Sequence, residues 1–213
     1  MKFDILTLFP EMVENGLSYS IPGRAQKSKT IEITAHNLRD WAIDNRGTVD
    51  DAPYGGGPGM VLRVDVADAA LKNIDPKHQA LRIMLSPDGE KFDQRLAKKL
   101  AQKSQLVLLC GRYEGFDARI EQYVDMKVSL GDYVVSGGEL PAMIMVDAIT
   151  RLIPGALGNE ESLKHETFEN NSTDFPQYTR PETYDKQKVP EVLLSGHHAE
   201  IEAWRNEQKR TTN

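Results

Sequence analysis

The 213-residue chain contains a single cysteine, which excludes an internal disulfide and with it a small secreted fold held together by bridges. Long apolar runs are also missing. Leu106-Val107-Leu108-Leu109-Cys110 is among the longest, far below the roughly 20 residues that cross a bilayer. At the N-terminus Asp4 interrupts the apolar stretch and Pro10-Glu11 ends it, so no signal peptide is expected. A reducing, cytoplasmic setting is the expectation. Positive charge is in short supply: 26 Lys and Arg stand against 32 Asp and Glu, for a net charge of −6. Proteins that grip nucleic acid through its phosphates usually show a basic surplus or a basic face. Any nucleic-acid partner must therefore be held by local patches. What is present is an ordinary globular composition, 39% hydrophobic and 27% charged. The length suits one domain of good size with a smaller one beside it.

Strand-like and helix-like segments alternate along most of the chain. Lys2 to Phe9, Thr30 to Ala35, Leu81 to Leu85, Gln105 to Cys110 and Met126 to Leu130 read as strands. Between them, Pro10-Glu11 suits the first turn of a helix. Arg63 to Ile74 and Asp93 to Lys103 carry helical apolar spacing, and Glu139 to Leu152 is an apolar helix. This alternation predicts an α/β fold with a mostly parallel sheet. In such sheets ligands bind beyond the carboxyl ends of the strands. Three glycine- or proline-rich loops leave strand ends here: Leu85-Ser86-Pro87, Gly111 to Gly115, and Gly131 to Pro141. After Pro154-Gly155 the character changes. Residues 159–173 are polar and read as a mobile linker, followed by a small segment, 174–213, with a helix from about His198 to Lys209. Ile201 and Trp204 are too few apolar positions for that segment to build a core of its own.

Several stretches could carry chemistry. In Pro53-Tyr54-Gly55-Gly56-Gly57-Pro58-Gly59-Met60, consecutive glycines cannot form the interior of a helix or strand. Their amides can approach an anion, although a plain surface loop has the same composition. No nucleoside-triphosphate loop or GxGxxG pattern is present. Cys110-Gly111-Arg112-Tyr113-Glu114-Gly115 follows a buried strand and reads either as a turn against a small molecule or simply as a tight turn. Cys110 itself reads as a buried, inert thiol. Ser129 to Pro141 brackets an apolar tetrad with glycines, so backbone groups could hold an adenine edge with Tyr133 and Val134 as walls. His197-His198 reads as a helix-start pair with a capping or packing role, because no metal-ligand spacing surrounds it.

Taken in order, these stretches resemble a known family. They are Phe9-Pro10-Glu11-Met12, Thr48 to Asp51 with Pro53 to Met60, Leu85-Ser86-Pro87, Cys110 to Gly115, and Gly131-Asp132-Tyr133 through Pro141. Pro176-Gln177-Tyr178-Thr179-Arg180-Pro181 and Leu193-Leu194-Ser195-Gly196 complete the set. Over nearly its whole length the chain resembles the bacterial tRNA (guanine-N1)-methyltransferases, members of the SPOUT superfamily that modify guanosine 37 beside the anticodon. The resemblance implies a SPOUT fold, with a parallel sheet whose C-terminal part forms a deep trefoil knot. It adds a small, mostly helical C-terminal domain, here shorter than usual. It divides the chain into a catalytic domain at 1–158, a flexible linker at 159–173 and a tRNA-binding domain at 174–213. It also implies a homodimer that acts on tRNA, neither on DNA nor at a membrane.

Carried over position by position, the S-adenosylmethionine site comprises Leu85, Ser86, Pro87, Gly111, Tyr113, Glu114, Gly115, Leu130, Gly131, Asp132, Tyr133, Val134, Val135, Gly137, Gly138 and Pro141. Candidate tRNA contacts are Arg24, Arg46, Tyr54, Gly55, Gly56, Gly57, Arg112 and Lys209. Neutral guanine carries a hydrogen on N1, so a base must remove it for that nitrogen to attack a sulfonium methyl. The resemblance assigns this to Asp174, just ahead of the Pro176–Pro181 motif, with Arg151 as the cation beside O6. The linker is expected to order over the target base and bring Asp174 into place across the dimer. Magnesium (Mg2+) is linked to the reaction in the family, and no ligand cluster stands out for it here. Two other readings compete: a SPOUT enzyme for a different RNA position, and a non-catalytic RNA-binding remnant.

Overall fold

The structure, a computed structural model, describes residues 1–158, 167–168 and 173–210. The chain divides into two compact units, Met1–Gly158 and Asn159–Asn213. The expected linker at 159–173 lies almost wholly outside the described residues. In the first unit, β1 (Lys2–Thr7) precedes α1 (Pro10–Leu17), α2 (Ser20–Lys27) and β2 (Glu32–Asn37). A 3₁₀ turn over Leu38–Trp41 leads to a short antiparallel ribbon, β3 (Asp50–Asp51) with β4 (Val61–Leu62). Then come α3 (Val64–Ile74), β5 (Leu81–Lys91), α4 (Gln94–Leu100) and β6 (Gln105–Cys110). A second 3₁₀ turn over Ala118–Tyr123, then β7 (Met126–Ser129) and α5 (Glu139–Thr150), complete the unit.

The main sheet has five strands in the order β2-β1-β6-β5-β7, and every neighbouring pair is parallel. The α/β expectation is met. A parallel sheet needs cover on both faces, and β6 shows why its sequence is apolar from Leu106 to Cys110. Leu106, Leu108 and Cys110 pack on one side with Val13 of α1, Leu100 of α4 and Met145, Val146 and Ile149 of α5. Val107 and Leu109 point the other way, into a second cluster with Val66, Ala70 and Leu71 of α3.

Helix starts follow local chemistry. Pro10 opens α1, where its missing N–H costs nothing. Asp93 was expected inside the fourth helix; it caps the helix instead, its carboxylate accepting the Leu96 N–H at 2.8 Å. The second unit holds a small hairpin, β8 (Thr183–Tyr184) with β9 (Gln187–Lys188), and two helices, α6 (Glu191–Leu194) and α7 (His198–Gln208). His197 stands at the N-cap of α7 but makes no side-chain cap bond and is exposed. The capping role is not what it does; its own N–H donates to Ser195 Oγ at 3.1 Å. Among the described residues no helix is long and apolar enough to cross a membrane.

Candidate active site

Strand β5 does something its sequence hides. Leu85 and Glu90 both pair with Val128 of β7, so Ser86-Pro87-Asp88-Gly89 leaves the sheet and returns to it. The expected turn is there, but the strand resumes beyond it. A Cβ on Gly89 would come 2.5 Å from the Val128 nitrogen, so the return leg lies against the neighbouring backbone in a way only glycine permits.

This excursion, the turn after β6 and the loop after β7 converge on one cavity of about 450 Å³. Of the residues expected to hold the cofactor, Leu85, Ser86, Pro87, Gly111, Tyr113, Glu114, Gly115, Leu130, Tyr133, Val134, Val135, Gly137, Gly138 and Pro141 all line it. Gly131 and Asp132 do not. Gly131 sets the bend, its N–H donating to Ser129 Oγ and its carbonyl accepting the Tyr133 N–H. Asp132 faces solvent and pairs with Lys91 at 2.8 Å. The lining adds residues the sequence did not single out, among them Met84, Asp88, Phe116, Ala118, Glu121 and Ser136. Asp88 and Ser136 sit inside motifs already noted, so adjacency could have found them. Glu121 carries no such signal; it arrives on the 3₁₀ turn and meets Lys127 at 3.0 Å, which also binds Asp88 at 2.6 Å.

Close backbone approach builds the cavity wall. The Gly138 N–H donates to the Gly111 carbonyl at 2.9 Å, and Arg112 and Gly137 form an antiparallel bridge. A Cβ on Gly138 would stand 2.5 Å from Cys110 Cα. Cys110 is wholly buried behind this wall, and burial pushes its thiol well above the ordinary range. The nucleophile assignment is thereby closed off, as the sequence led us to expect. At the rim, Asp117 binds Arg119 at 2.6 Å, and that charge-assisted hydrogen bond lowers its carboxyl to about 2.

The glycine loop between β3 and β4 is solvent-facing. Tyr54 is fully exposed, and Gly55, Gly56 and Gly57 all have positive φ. The loop is nevertheless tied to the cavity. The Glu114 N–H donates to the Met60 carbonyl at 3.0 Å, and the Leu62 N–H to the Gly115 carbonyl at 2.8 Å. Arg24 and Arg46 are exposed, and Lys209 is partly buried at the end of α7. Arg112 is different. Its guanidinium turns inward, onto the Ser136 carbonyl, Glu139 and the Phe9 ring, which leaves it a poor candidate for a first phosphate contact.

Of the two expected catalytic residues, Arg151 shares the cavity's unit but does not line the cavity. Arg151 is the C-cap of α5, whose other end supplies Gly138 and Pro141 to the lining. At 1.5 Å per residue the two ends are separated by roughly 20 Å. Asp174 belongs to the second unit. Its N–H donates to Thr167 Oγ1 at 3.0 Å, and its carboxylate accepts the Phe175 N–H at 2.7 Å.

A cavity of this size falls in the range of small-molecule sites. Its make-up suits a nucleoside: apolar side chains (Leu85, Leu130, Val134, Pro141) beside glycine backbone that admits a flat edge. The residues present therefore fit S-adenosylmethionine. Among the described residues no group of three His, Cys, Asp or Glu could hold a metal ion.

Fold and cavity together define an α/β protein with a cavity of small-molecule size among glycine loops at the carboxyl edge of a parallel sheet. Comparison with known proteins narrows this. A family model described as tRNA (Guanine-1)-methyltransferase TrmD matches residues 1–213, and the chain belongs to that family. Proteins named tRNA (guanine-N(1)-)-methyltransferase are similar throughout. That of Lachnospira eligens is 50% identical over 213 residues, covering 98% of this chain and 89% of the relative. That of Citrifermentans bemidjiense is 48% identical over 215 residues, covering 100% and 86%. A Staphylococcus aureus relative is 50% identical over 210 residues, covering 98% and 86%.

Proposed function

We propose that this protein transfers a methyl group from S-adenosylmethionine to N1 of guanosine 37 in tRNA, in the cytoplasm, as a homodimer with a knotted SPOUT fold. One observation carries this reading: in a member of this family, the loops leaving β5, β6 and β7 converge on a single nucleoside-sized cavity.

When bound, the cofactor supplies an electrophilic methyl on a sulfonium. The chain must then hold guanine in line and manage one proton. Asp174 takes the N1 hydrogen. An ordinary Asp has a pKa of about 3.9 and guanine N1–H about 9, a gap worth about 7 kcal/mol. The proton therefore leaves during the transfer rather than before it. Arg151 lowers the barrier by facing the negative charge that develops on O6. In-line positioning contributes about 7–11 kcal/mol and general-base help about 10²–10⁴-fold. Arg24, Arg46 and the Tyr54–Gly57 loop are exposed, as tRNA contacts require, and Lys209 is the corresponding candidate on the second unit.

Two features support the homodimer. Arg151 is roughly 15 Å along α5 from Pro141, the nearest lining residue of that helix, so its partner copy is the natural source of the cation. Helices α1 and α5 also expose large apolar side chains, Phe9, Met12, Leu140 and Ile144, where a second copy would cover them.

The test is to incubate the purified chain with labelled cofactor and tRNA bearing guanosine 37, then to map the methyl by nuclease digestion and mass spectrometry. The label is expected on N1 of that residue. Asp174→Asn should lower turnover by about 10²-fold or more with cofactor affinity unchanged. Label at another position would establish a different RNA target, and tRNA binding with no product would establish a non-catalytic protein.

A further inference from the structure

Glu139 is the first residue of α5 and is almost completely buried. A buried carboxylate survives only when it is paired and hydrogen-bonded, and this one is held from two sides. Its Oε1 accepts a hydrogen bond from Thr7 Oγ1 at 2.7 Å. Its Oε2 lies 3.3 Å from Arg112 Nε. Thr7, itself buried at the end of β1, has its hydroxyl fixed by accepting the Phe9 N–H at 2.9 Å. On the far side of the pair, Arg112 donates to the Ser136 carbonyl at 2.9 Å and stacks over the Phe9 ring at 4.5 Å. The arginine crosses directly above Gly137. A Cβ there would come 2.5 Å from both Arg112 Nε and Glu139 Oε2.

Three chain segments thus meet at one charge pair: the end of β1, the turn after β6 and the loop before α5. Two of them supply the cavity wall, through Arg112, Ser136, Gly137 and Gly138. Glu139 lies behind that wall rather than in it. A negative charge at this place is also favoured by the N-terminus of α5, and the guanidinium of Arg112 faces it from the other side. The Nε–H of Arg112 is not aligned for a hydrogen bond with Glu139. The charge therefore sets the place of the guanidinium, and the Ser136 carbonyl sets its orientation.

We propose that Glu139, backed by Thr7, is a positioning residue that fixes Arg112 and, through it, the Ser136–Gly138 wall of the cofactor cavity in its binding-competent shape. This rests on the cavity being the cofactor site. Glu139 touches neither cofactor nor guanine; it acts through Arg112.

Glu139→Gln keeps the shape, removes the charge and leaves one amide oxygen where two carboxylate oxygens faced Thr7 and Arg112. Calorimetry with S-adenosylhomocysteine, thermal melting, and steady-state kinetics with tRNA read the effect. The dissociation constant is expected to rise about tenfold or more, with the KM for tRNA within about twofold of wild type, since Arg112 is turned onto the Ser136 carbonyl, Glu139 and the Phe9 ring. Thr7→Val should act in the same direction more weakly, and add nothing further in the Glu139→Gln background, because it works through the same carboxylate. A Glu139→Gln protein with wild-type cofactor affinity overturns the proposal. So does one that melts earlier while its folded form binds normally. Should Glu139→Gln fail to fold, Thr7→Val decides alone: unchanged affinity overturns, weakened affinity supports. Absence of cofactor binding by the wild-type chain would overturn the reading of the cavity itself, whereas wild-type binding beside an unaffected variant would overturn only this inference.

Discussion

At the scale of single residues, electrostatics at the cavity rim gives a pH signature. Asp117 sits between Phe116 and Ala118, both in the lining, and its carboxyl is held at about 2 chiefly by the hydrogen bond from Arg119. Because the folded value lies below the ordinary carboxylate value of about 3.9, the unfolded chain binds more protons between the two. The stabilisation from this pair is complete above about pH 4 and is lost as pH falls toward 2. Asp117→Asn should therefore lower the melting temperature slightly near neutral pH, and the difference from wild type should shrink progressively below pH 4. Melting curves from pH 7 to pH 2 check this; a difference that grows toward acid would reverse the sign. Glu139 shows the limit of reading single residues. As a letter in Gly137-Gly138-Glu139-Leu140-Pro141 it looks like an ordinary acid opening a helix. Only the positions of Thr7 and Arg112, far apart in sequence, reveal a buried charge pair.

At the scale of elements, continuous apolar runs were legible and interruptions were not. Gln105 to Cys110 could be read as a buried strand because both faces are covered, so every position after Gln105 is apolar. Strand β5 was read only to Leu85. Its return at Glu90 depends on pairing with β7, which no local pattern encodes. Helix α2 was missed altogether. Ser-Ile-Pro-Gly-Arg-Ala-Gln-Lys is a poor helix former, and it is held in place by burying Pro22, Gly23 and Ala25. Gly23 is required there, since a Cβ would come 2.1 Å from the Ser18 carbonyl oxygen. The same kind of contact joins the loop before α5 to β6 at Gly138. Its φ of −77° is open to any residue, so Gly138→Ala introduces no backbone strain, only a Cβ against Cys110 Cα. That overpacking should cost about 1–3 kcal/mol of stability and weaken cofactor binding by pushing the wall into the cavity. Denaturant unfolding and calorimetry check both, and normal binding by a destabilised variant would show that the wall yields elsewhere.

At the scale of the whole molecule, the proposed homodimer makes a prediction about Arg151. The cavity lies at one end of α5 and Arg151 at the other. If the partner supplies the arginine, two inactive chains should rescue each other. An Arg151→Ala chain keeps its cavity, and a chain whose cavity is filled by Gly138→Trp keeps its arginine. Their heterodimer holds one complete site. After unfolding and refolding an equimolar mixture, activity should recover to about a quarter of wild type, since half the dimers are mixed and each has one of two sites. No recovery would mean that Arg151 serves its own chain.

From its residues alone, this protein was legible as a parallel α/β domain followed by a smaller C-terminal segment, with glycine loops at strand ends as the place to look for a ligand. Alternation of apolar runs and the backbone freedom of glycine are local properties, and they can be read without a fold. Convergence is not local. Which loop residues share a cavity, that Gly131 and Asp132 stand outside it while Glu121 enters, that Arg112 turns inward, and that Arg151 lies a helix-length away were decided by tertiary structure. The reason is that they depend on strand order and close backbone approach between segments that the sequence keeps up to more than a hundred residues apart (Thr7 and Glu139).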